Sequence, residues 1–425
     1  MSKKAVATIL LLAGVFLAVS LCAGPASTAL GLQRTLRFAI IKRTPQYLVA
    51  KRYNQRVIVR RRHRSVVKKG VVRYRVAKLT RRYAYLTRVR RPATPVIPTP
   101  SPTPSSTCQY GVHMDLTYDG HEWRRAKAVE AVRDVLHASI SRNSLLWHQV
   151  EEEEGARDWT QTDAVVTELT SAAIEPLFVI YGSPSWANGI PEPTPEHYLY
   201  VPTEEVAFEA WLADYVTFVA EAATRYQSRV HKWEIGNEEN ERFFWKPKPD
   251  PGQYARFYTA LRDAILSVDP QAEVAMGGLA GLLCCGPEGI AGIDFLKAIH
   301  ARGIYPENVA LHPYCSQDQP PTEHIAWQGN FDDVQTVYDY LQTLPRPVSI
   351  WITEWGWPVG AVTEQEQADY MRASLNMIRS QYTYVTVATA FLDYDRPSYS
   401  YGLFDADFNA RPAAFAFGNF VSRVD

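Results

Sequence analysis

From residue 108 to the C-terminus, short apolar runs alternate with longer stretches in which apolar positions recur every three to four residues. The short runs lie near QYGVHM (109–114), HASISRN (137–143), EPLFVIYG (175–182), VHKWEIGN (230–237), EVAMGG (273–278), NVALHPY (308–314), SIWITEW (349–355) and VTVATAFL (385–392). Their length and their Val, Ile, Phe and Trp content predict β-strands. Stretches such as VAFEAWLADYVTFVAEAATRY (206–226) and QYARFYTALRDAILSV (253–268) carry the helical period. VTELTSA and EQEQADYMRASLNMIRS do the same before the third and eighth strands. Eight strands alternating with helices predict an α/β chain folded as a (β/α)₈ TIM barrel over 108–425, with any active site at the C-terminal ends of the strands.

The chain before residue 108 is a different kind of object. In 31–91, RVIVRRRHR and GVVRYRVAKL alternate apolar and charged residues, as a strand with one wet face does, and KKG (68–70) suits a hairpin turn. This segment is read as a basic N-terminal module, β-rich or disordered. PATPVIPTPSPTPSST (92–107) reads as an extended Pro/Thr/Ser linker. Residues 1–30 carry Lys3 and Lys4, then an uncharged apolar run from Ala5 to Cys22, then small residues. That order predicts a signal peptide or, if residues 5–22 are retained, a membrane anchor. Cys22 invites a lipoprotein reading, against which Leu21 stands where a small residue is needed.

Charge sharpens the division. The chain has 45 basic and 45 acidic residues, but no Asp or Glu precedes Asp115. Residues 31–91 hold 21 Lys and Arg, while 22 basic residues face all 45 acids after the linker. A basic module on an exported acidic protein fits adhesion to an anionic cell-envelope polymer, and export argues against nucleic acid as a partner. The expected location is extracellular or at the cell surface. Cys108, Cys284, Cys285 and Cys315 lack zinc-ligand spacing. Loops five and six of a barrel are neighbours, so an oxidising compartment would permit a disulfide from Cys315 to Cys284 or Cys285. Free buried thiols fit equally well.

KWEIGNEENE (232–241) delivers carboxylates at the end of the fourth strand, and SIWITEWGWP (349–358) delivers Glu354 at the end of the seventh. Those strands lie three places apart on an eight-membered ring, so the two acids face one another across its mouth. A pair of carboxyl groups can cleave a glycosidic bond, one protonating the leaving oxygen and one attacking or activating water. Trp351, Trp355 and Trp357, with Trp186 and Trp147, offer flat faces for sugar rings. Acids at strand ends also cap helices, and Trp also packs in cores, so it is the pairing that favours a site.

These segments resemble clan A of the retaining glycoside hydrolases, and within it family 39 and its relatives, a group with β-xylosidases, α-iduronidases and endoglycosidases of secreted polysaccharides. The likeness runs through most of 108–425. WEIGNEEN resembles the clan's Trp-Glu-x-x-Asn-Glu, which implies Glu238 as acid/base and Asn237 as a partner of the sugar 2-hydroxyl. ITEWGWP resembles the strand-seven motif and implies Glu354 as nucleophile. SRNSLLWHQ implies that Arg142 supports that nucleophile, PLFVIYGSPSWANG resembles the third strand, and LHPY implies His312 and Tyr314 lining the site. The implied reaction is hydrolysis of a carbohydrate by double displacement, without metal or organic cofactor. Two features depart from the pattern: Glu239 stands where Pro usually follows the acid/base, and FLDYDRP carries no Trp on strand eight. A slip of register would make Glu239 or Glu241 the acid, while Glu234 reads as an internal barrel partner. His113, Asp115, Asp119 and His121 lie just after strand one, as substrate contacts or as solvated surface. A carbohydrate-binding barrel without catalysis is the competing reading.

Overall fold

The computed structural model describes side chains for 108–117, 124–284, 288–326 and 328–423, the backbone of Glu122 and Trp123, and backbone strands within 35–88. Residues 1–34, the linker at 92–107, Asp119, His121 and Cys285 lie outside the described residues. Among the described residues no helix is long and apolar enough to cross a membrane.

In the N-terminal unit six strands, β1 (Thr35–Arg43), β2 (Tyr47–Arg52), β3 (Gln55–Arg60), β4 (Ser65–Lys68), β5 (Val71–Leu79) and β6 (Tyr83–Arg88), pair antiparallel in chain order. β6 returns to β1, so the sheet closes as a small barrel without an open edge. Lys68 pairs with Val71 across the KKG turn.

The second unit is the (β/α)₈ barrel. Its strands are β7 (Gln109–His113), β8 (Ile140–Leu146), β9 (Glu175–Tyr181), β10 (Lys232–Asn237), β11 (Glu273–Leu279), β12 (Asn308–Leu311), β13 (Ser349–Ile352) and β14 (Val385–Ala390). All eight neighbours pair parallel and β14 pairs with β7 to close the ring. The second strand begins three residues later than its apolar run suggests, because His137 adopts a left-handed φ of 52° and delays extension. Helix starts follow local chemistry. The Asp250 side chain caps helix Pro251–Val268, accepting from the Gly252 and Gln253 N–H groups. Thr363 and Glu366 form a reciprocal capping box on helix Glu364–Ser380.

The barrel interior is layered. Lys232 closes its base, reaching Glu273 at 2.7 Å and Glu175 at 3.4 Å. Above it Ile140, Leu177, Ala275, Ala310, Trp351 and Val387 form one buried apolar cluster. Trp351 fits there because Ala275 and Ala310 are small. Strand alternation then turns the next inward residues of β8 and of the strand-end segments, Arg142, His312 and Thr353, toward the mouth. The apolar layer is thus the dry floor beneath the polar groups.

Replacing Trp351 with Ala empties the centre of this floor and is expected to cost about 3–5 kcal/mol of stability. Phe415, which is 54% exposed on the last helix, should tolerate Ala within about 0.5 kcal/mol. Equilibrium unfolding of both variants in urea checks the contrast.

Candidate active site

Arg142 sits at the end of the apolar floor with no exposure to solvent. A guanidinium has five N–H donors, and here all five have acceptors. Nε reaches Glu234 Oε2 at 2.8 Å, and Nη2 reaches Glu234 Oε1 at 3.1 Å and Asn237 Oδ1 at 2.8 Å. Nη1 reaches Glu354 Oε1 at 2.6 Å and His113 Nδ1 at 2.7 Å. Burial alone would favour the neutral form, but Glu234 and Glu354 outweigh it and hold the guanidinium charged. Glu354 accepts a second bond at Oε2 from the Tyr314 hydroxyl, at 3.0 Å. Both of its oxygens are therefore acceptors.

Glu238 lies in a different environment. Its carboxyl is 2.8 Å from His312 Nδ1, whose Nε2 is 3.1 Å from Thr353 Oγ1. Thr353 in turn donates to Glu234 Oε1 at 3.2 Å. That oxygen also accepts from Arg142 and from the Gly278 N–H, so Glu234 is purely an acceptor. The Thr353 proton is then committed to Glu234, and Thr353 Oγ1 must accept from His312 Nε2–H. Burial pulls the His312 imidazole down to about 4, so it carries only that one proton and Nδ1 is an acceptor. The proton between Nδ1 and Glu238 must therefore belong to Glu238. Independently, burial pushes the Glu238 carboxyl up to about 7, against the pull of Arg142. Hydrogen-bond polarity and desolvation agree that Glu238 is the protonated member of the pair.

The geometry is tight. Glu238, Glu354 and His312 each present an atom within 4.8 Å of the other two. Glu238 leaves the strand with a φ of 54°, which an L-residue adopts at a cost, while its N–H bonds to the Gly278 carbonyl at 2.9 Å. Gly278 is required for packing: a Cβ there would lie 2.0 Å from His312 Nε2. On the far side of Arg142, His113 Nε2 is 2.7 Å from Asp115 Oδ2, and Ser144 Oγ donates to Asp115 Oδ1 at 2.5 Å. Burial opposes the Asp115 charge, but His113 and then Ser144 outweigh it and hold the carboxyl well below its usual range.

The structure brings together Glu238, Glu354, Asn237, Arg142, His312 and Tyr314. Arg142 is too deep to touch a substrate and acts only through its acceptors. The tryptophans are placed otherwise than expected. Trp147, Trp351, Trp355 and Trp357 are each at most 2% exposed. The Nε1 atoms of Trp147, Trp355 and Trp357 are bound to Glu151, Ser374 and Gln319, so these rings are core and present no face to a sugar. Trp186 is half-buried, its ring set edge-on to Trp147 at 5.3 Å. The half-buried aromatics at the mouth are instead Phe391, Tyr314 and Tyr401, with Phe391 5.6 Å from Tyr401 and 6.2 Å from Tyr314. His113 and Asp115 belong to the buried network rather than to a solvated surface.

Cys315 is a free thiol, 3.3 Å from the Gln319 carbonyl that it donates to, and burial pushes it up to about 11. Its sulfur is turned into its own loop, so the expected bridge to Cys284 is not formed, and Cys285 lies outside the described residues.

The sequence matches no protein-family model and no curated protein. Solved structures do resemble it. A family 39 glycoside hydrolase from Bacteroides cellulosilyticus WH2 aligns over 91% of this chain and 76% of its own, with 18% identity and a TM-score of 0.58. A monomeric β-xylosidase from Caulobacter crescentus CB15 aligns over 74% and 68%, with 17% identity and a TM-score of 0.56. Xylanase 10B from Thermotoga maritima aligns over 74% and 95%, with 15% identity and a TM-score of 0.52. At these identities the likeness is one of fold.

Arg142→Met would leave Glu234 buried without its cation and is expected to destabilise the chain by about 3–5 kcal/mol. Thermal and urea unfolding measure the loss. A loss below about 1 kcal/mol would mean that water replaces the guanidinium.

Proposed function

We propose that this chain is a retaining glycoside hydrolase acting on a poly- or oligosaccharide. The observation that carries the reading is the split between two facing carboxyl groups: Glu238 holds a proton and Glu354 is an acceptor at both oxygens. Their oxygens approach within 4.8 Å. That is close to the separation of about 5–5.5 Å used for attack by a carboxylate, and short of the roughly 6.5–9.5 Å that leaves room for water.

In this reading Glu354 attacks the anomeric carbon and the glycosidic C–O bond breaks as Glu238 passes its proton to the departing oxygen. Arg142 and Tyr314 hold Glu354 in place. Glu238, now a carboxylate, takes a proton from water, whose oxygen attacks the anomeric carbon and releases Glu354. His312 supports the acid form of Glu238, because its neutral imidazole accepts that proton's hydrogen bond at Nδ1. Asn237 gives its oxygen to Arg142, which turns its NH₂ group outward as a donor for a sugar hydroxyl. The half-buried ring of Phe391 supplies the apolar surface that strand eight lacks through having no Trp. The xylosidase and xylanase activities named for the neighbours make pentose polymers and glycosides sensible first substrates.

Export rests on residues 1–30, and the extracellular or surface location follows from it. The basic N-terminal unit then serves to hold the enzyme on an anionic envelope polymer, a reading supported by its 21 basic and no acidic residues in 31–91.

Hydrolysis of aryl β-xylosides, β-glucosides, α-iduronides and plant and bacterial polysaccharides by the full chain tests the enzyme reading. Glu354→Gln should lower turnover by at least about 10³-fold, because no covalent intermediate can form. Wild-type turnover that survives in Glu354→Gln would sink the assignment. Failure on every glycan by a folded chain would favour a binding-only barrel. The kcat/KM profile should fall as pH rises through about 7, since the Glu238 proton needed for the first step is lost there. Glu238→Gln should abolish that alkaline limb. Binding of the chain to an anionic polymer such as polygalacturonate should disappear by about 0.5 M salt, where charges are screened within a few ångströms. Salt-insensitive binding would remove the electrostatic account.

A further inference from the structure

Glu239, the residue after the proton donor, is 2% exposed and takes no part in the steps above. Its carboxyl lies in a slot made by two bare glycines. A Cβ on Gly236 would fall 1.7 Å from Glu239 Oε1 and 2.6 Å from Oε2, and one on Gly277 would fall 2.7 Å from Oε2. The slot therefore exists only because β10 and β11 both carry glycine at that level. The backbone N–H groups of Glu239 and Asn237 face this carboxyl, one on each side of Glu238. Oε2 has no hydrogen-bond partner among the described residues.

The titratable groups around the slot are Glu234, Glu238, Tyr215 and Tyr254. Each tyrosine hydroxyl has its single proton engaged elsewhere, Tyr215 on the Gly182 carbonyl and Tyr254 on the Ile235 carbonyl, both at 2.7 Å. Burial, with Glu234 and Glu238 nearby, pushes the Glu239 carboxyl well above the usual carboxylate range. The backbone around it is bent: Gly236 has a φ of 92° and Glu238 a φ of 54°. Glycine adopts such angles freely, whereas Glu238 needs an outside restraint to stay there.

We propose that Glu239 is the positioning residue of the proton donor. Seated between Gly236 and Gly277 and facing the N–H groups that flank Glu238, its carboxyl pins the turn that swings Glu238 from the strand direction onto His312 and toward the leaving group. The proposal rests on the reading of Glu238 as general acid. In this chain a side-chain carboxyl does what a rigid backbone residue could do at the same place.

Two measurements on the full chain test it. In crystals of Glu239→Ala the 2.8 Å contact between Glu238 and His312 should open beyond hydrogen-bonding range, and Glu238 should leave the left-handed region. Retention of both would overturn the proposal. The kinetic test compares phenyl with 2,4-dinitrophenyl β-D-xyloside, since the activated phenol departs without a proton. General acid catalysis is worth roughly 10²–10⁴-fold, so Glu239→Ala should lower kcat/KM by about tenfold or more on the phenyl glycoside and by less than about threefold on the dinitrophenyl one. Glu239→Gln, which keeps the shape and an acceptor oxygen, should restore most of the loss. Equal losses on both substrates, or a Gln variant no better than Ala, would mean a merely structural role. If Glu239→Ala does not fold, Glu239→Asp withdraws the carboxyl from Gly277 and is read by the same two measurements. Glu238→Gln run alongside separates the failures. If it too lacks the leaving-group dependence, the acid assignment falls and this proposal with it. If it has the dependence and the Glu239 variants do not, only the positioning role falls.

Discussion

A buried guanidinium with every donor satisfied is the constraint on which the site depends. Arg142 lies at the top of a dry apolar layer, where an unpaired charge is intolerable. Its rigid fork of five N–H groups can be satisfied only if Glu234, Asn237, His113 and Glu354 arrive at fixed positions from three different segments of the barrel. The requirement runs both ways. The acceptors hold the cation in the barrel, and the cation fixes where the carboxylate of Glu354 stands. Lys could not replace it, since three donors on a flexible stem cannot reach four groups at once.

From this one cation the difference between the two facing carboxyl groups follows. Glu354 is close enough to bond to Arg142, and Glu238 is not. Glu234, the acceptor they share through the network, orders the protons along Thr353 and His312 and leaves the last one on Glu238. Two groups of the same chemical kind acquire opposite roles because one faces a guanidinium and the other a neutral imidazole in a desolvated wall. The left-handed backbone at Glu238 belongs to the same design. The bend, a φ of 54°, sets the angle at which this side chain enters the mouth.

Much of this was legible along the chain. Eight apolar runs separated by helical periods specified the barrel, since burial on both faces of parallel strands leaves continuous Val, Ile and Ala segments in the sequence. The acids of the fourth and seventh strands were legible because the fold places every strand end at one mouth. The tryptophans were misread because apolar character does not tell which side of a layer a ring will face. Trp355 and Trp357 follow an inward-facing acid, yet their indoles turn to Ser374 and Gln319 in the loops and helices around them. His113 and Asp115 were ambiguous for a similar reason: polar residues after a strand look like surface until a buried arginine is found between them and the opposite wall.

The amino-acid sequence by itself determined the alternation of strands and helices, the division into a basic front segment and an acidic barrel, and which strands end in carboxyl groups. Those properties are local, set by periodicity and composition over ten to twenty residues. The tertiary structure alone decided which carboxyl keeps its proton, which aromatics line the mouth, that Cys315 remains a thiol, and that Glu239 lies against Gly236 and Gly277 rather than in solvent. Most of these depend on distances of a few ångströms between residues far apart in the chain, and all of them on how loops and strand ends settle against the closed barrel. Desolvation and hydrogen-bond direction act over those distances, and only the closed barrel sets them.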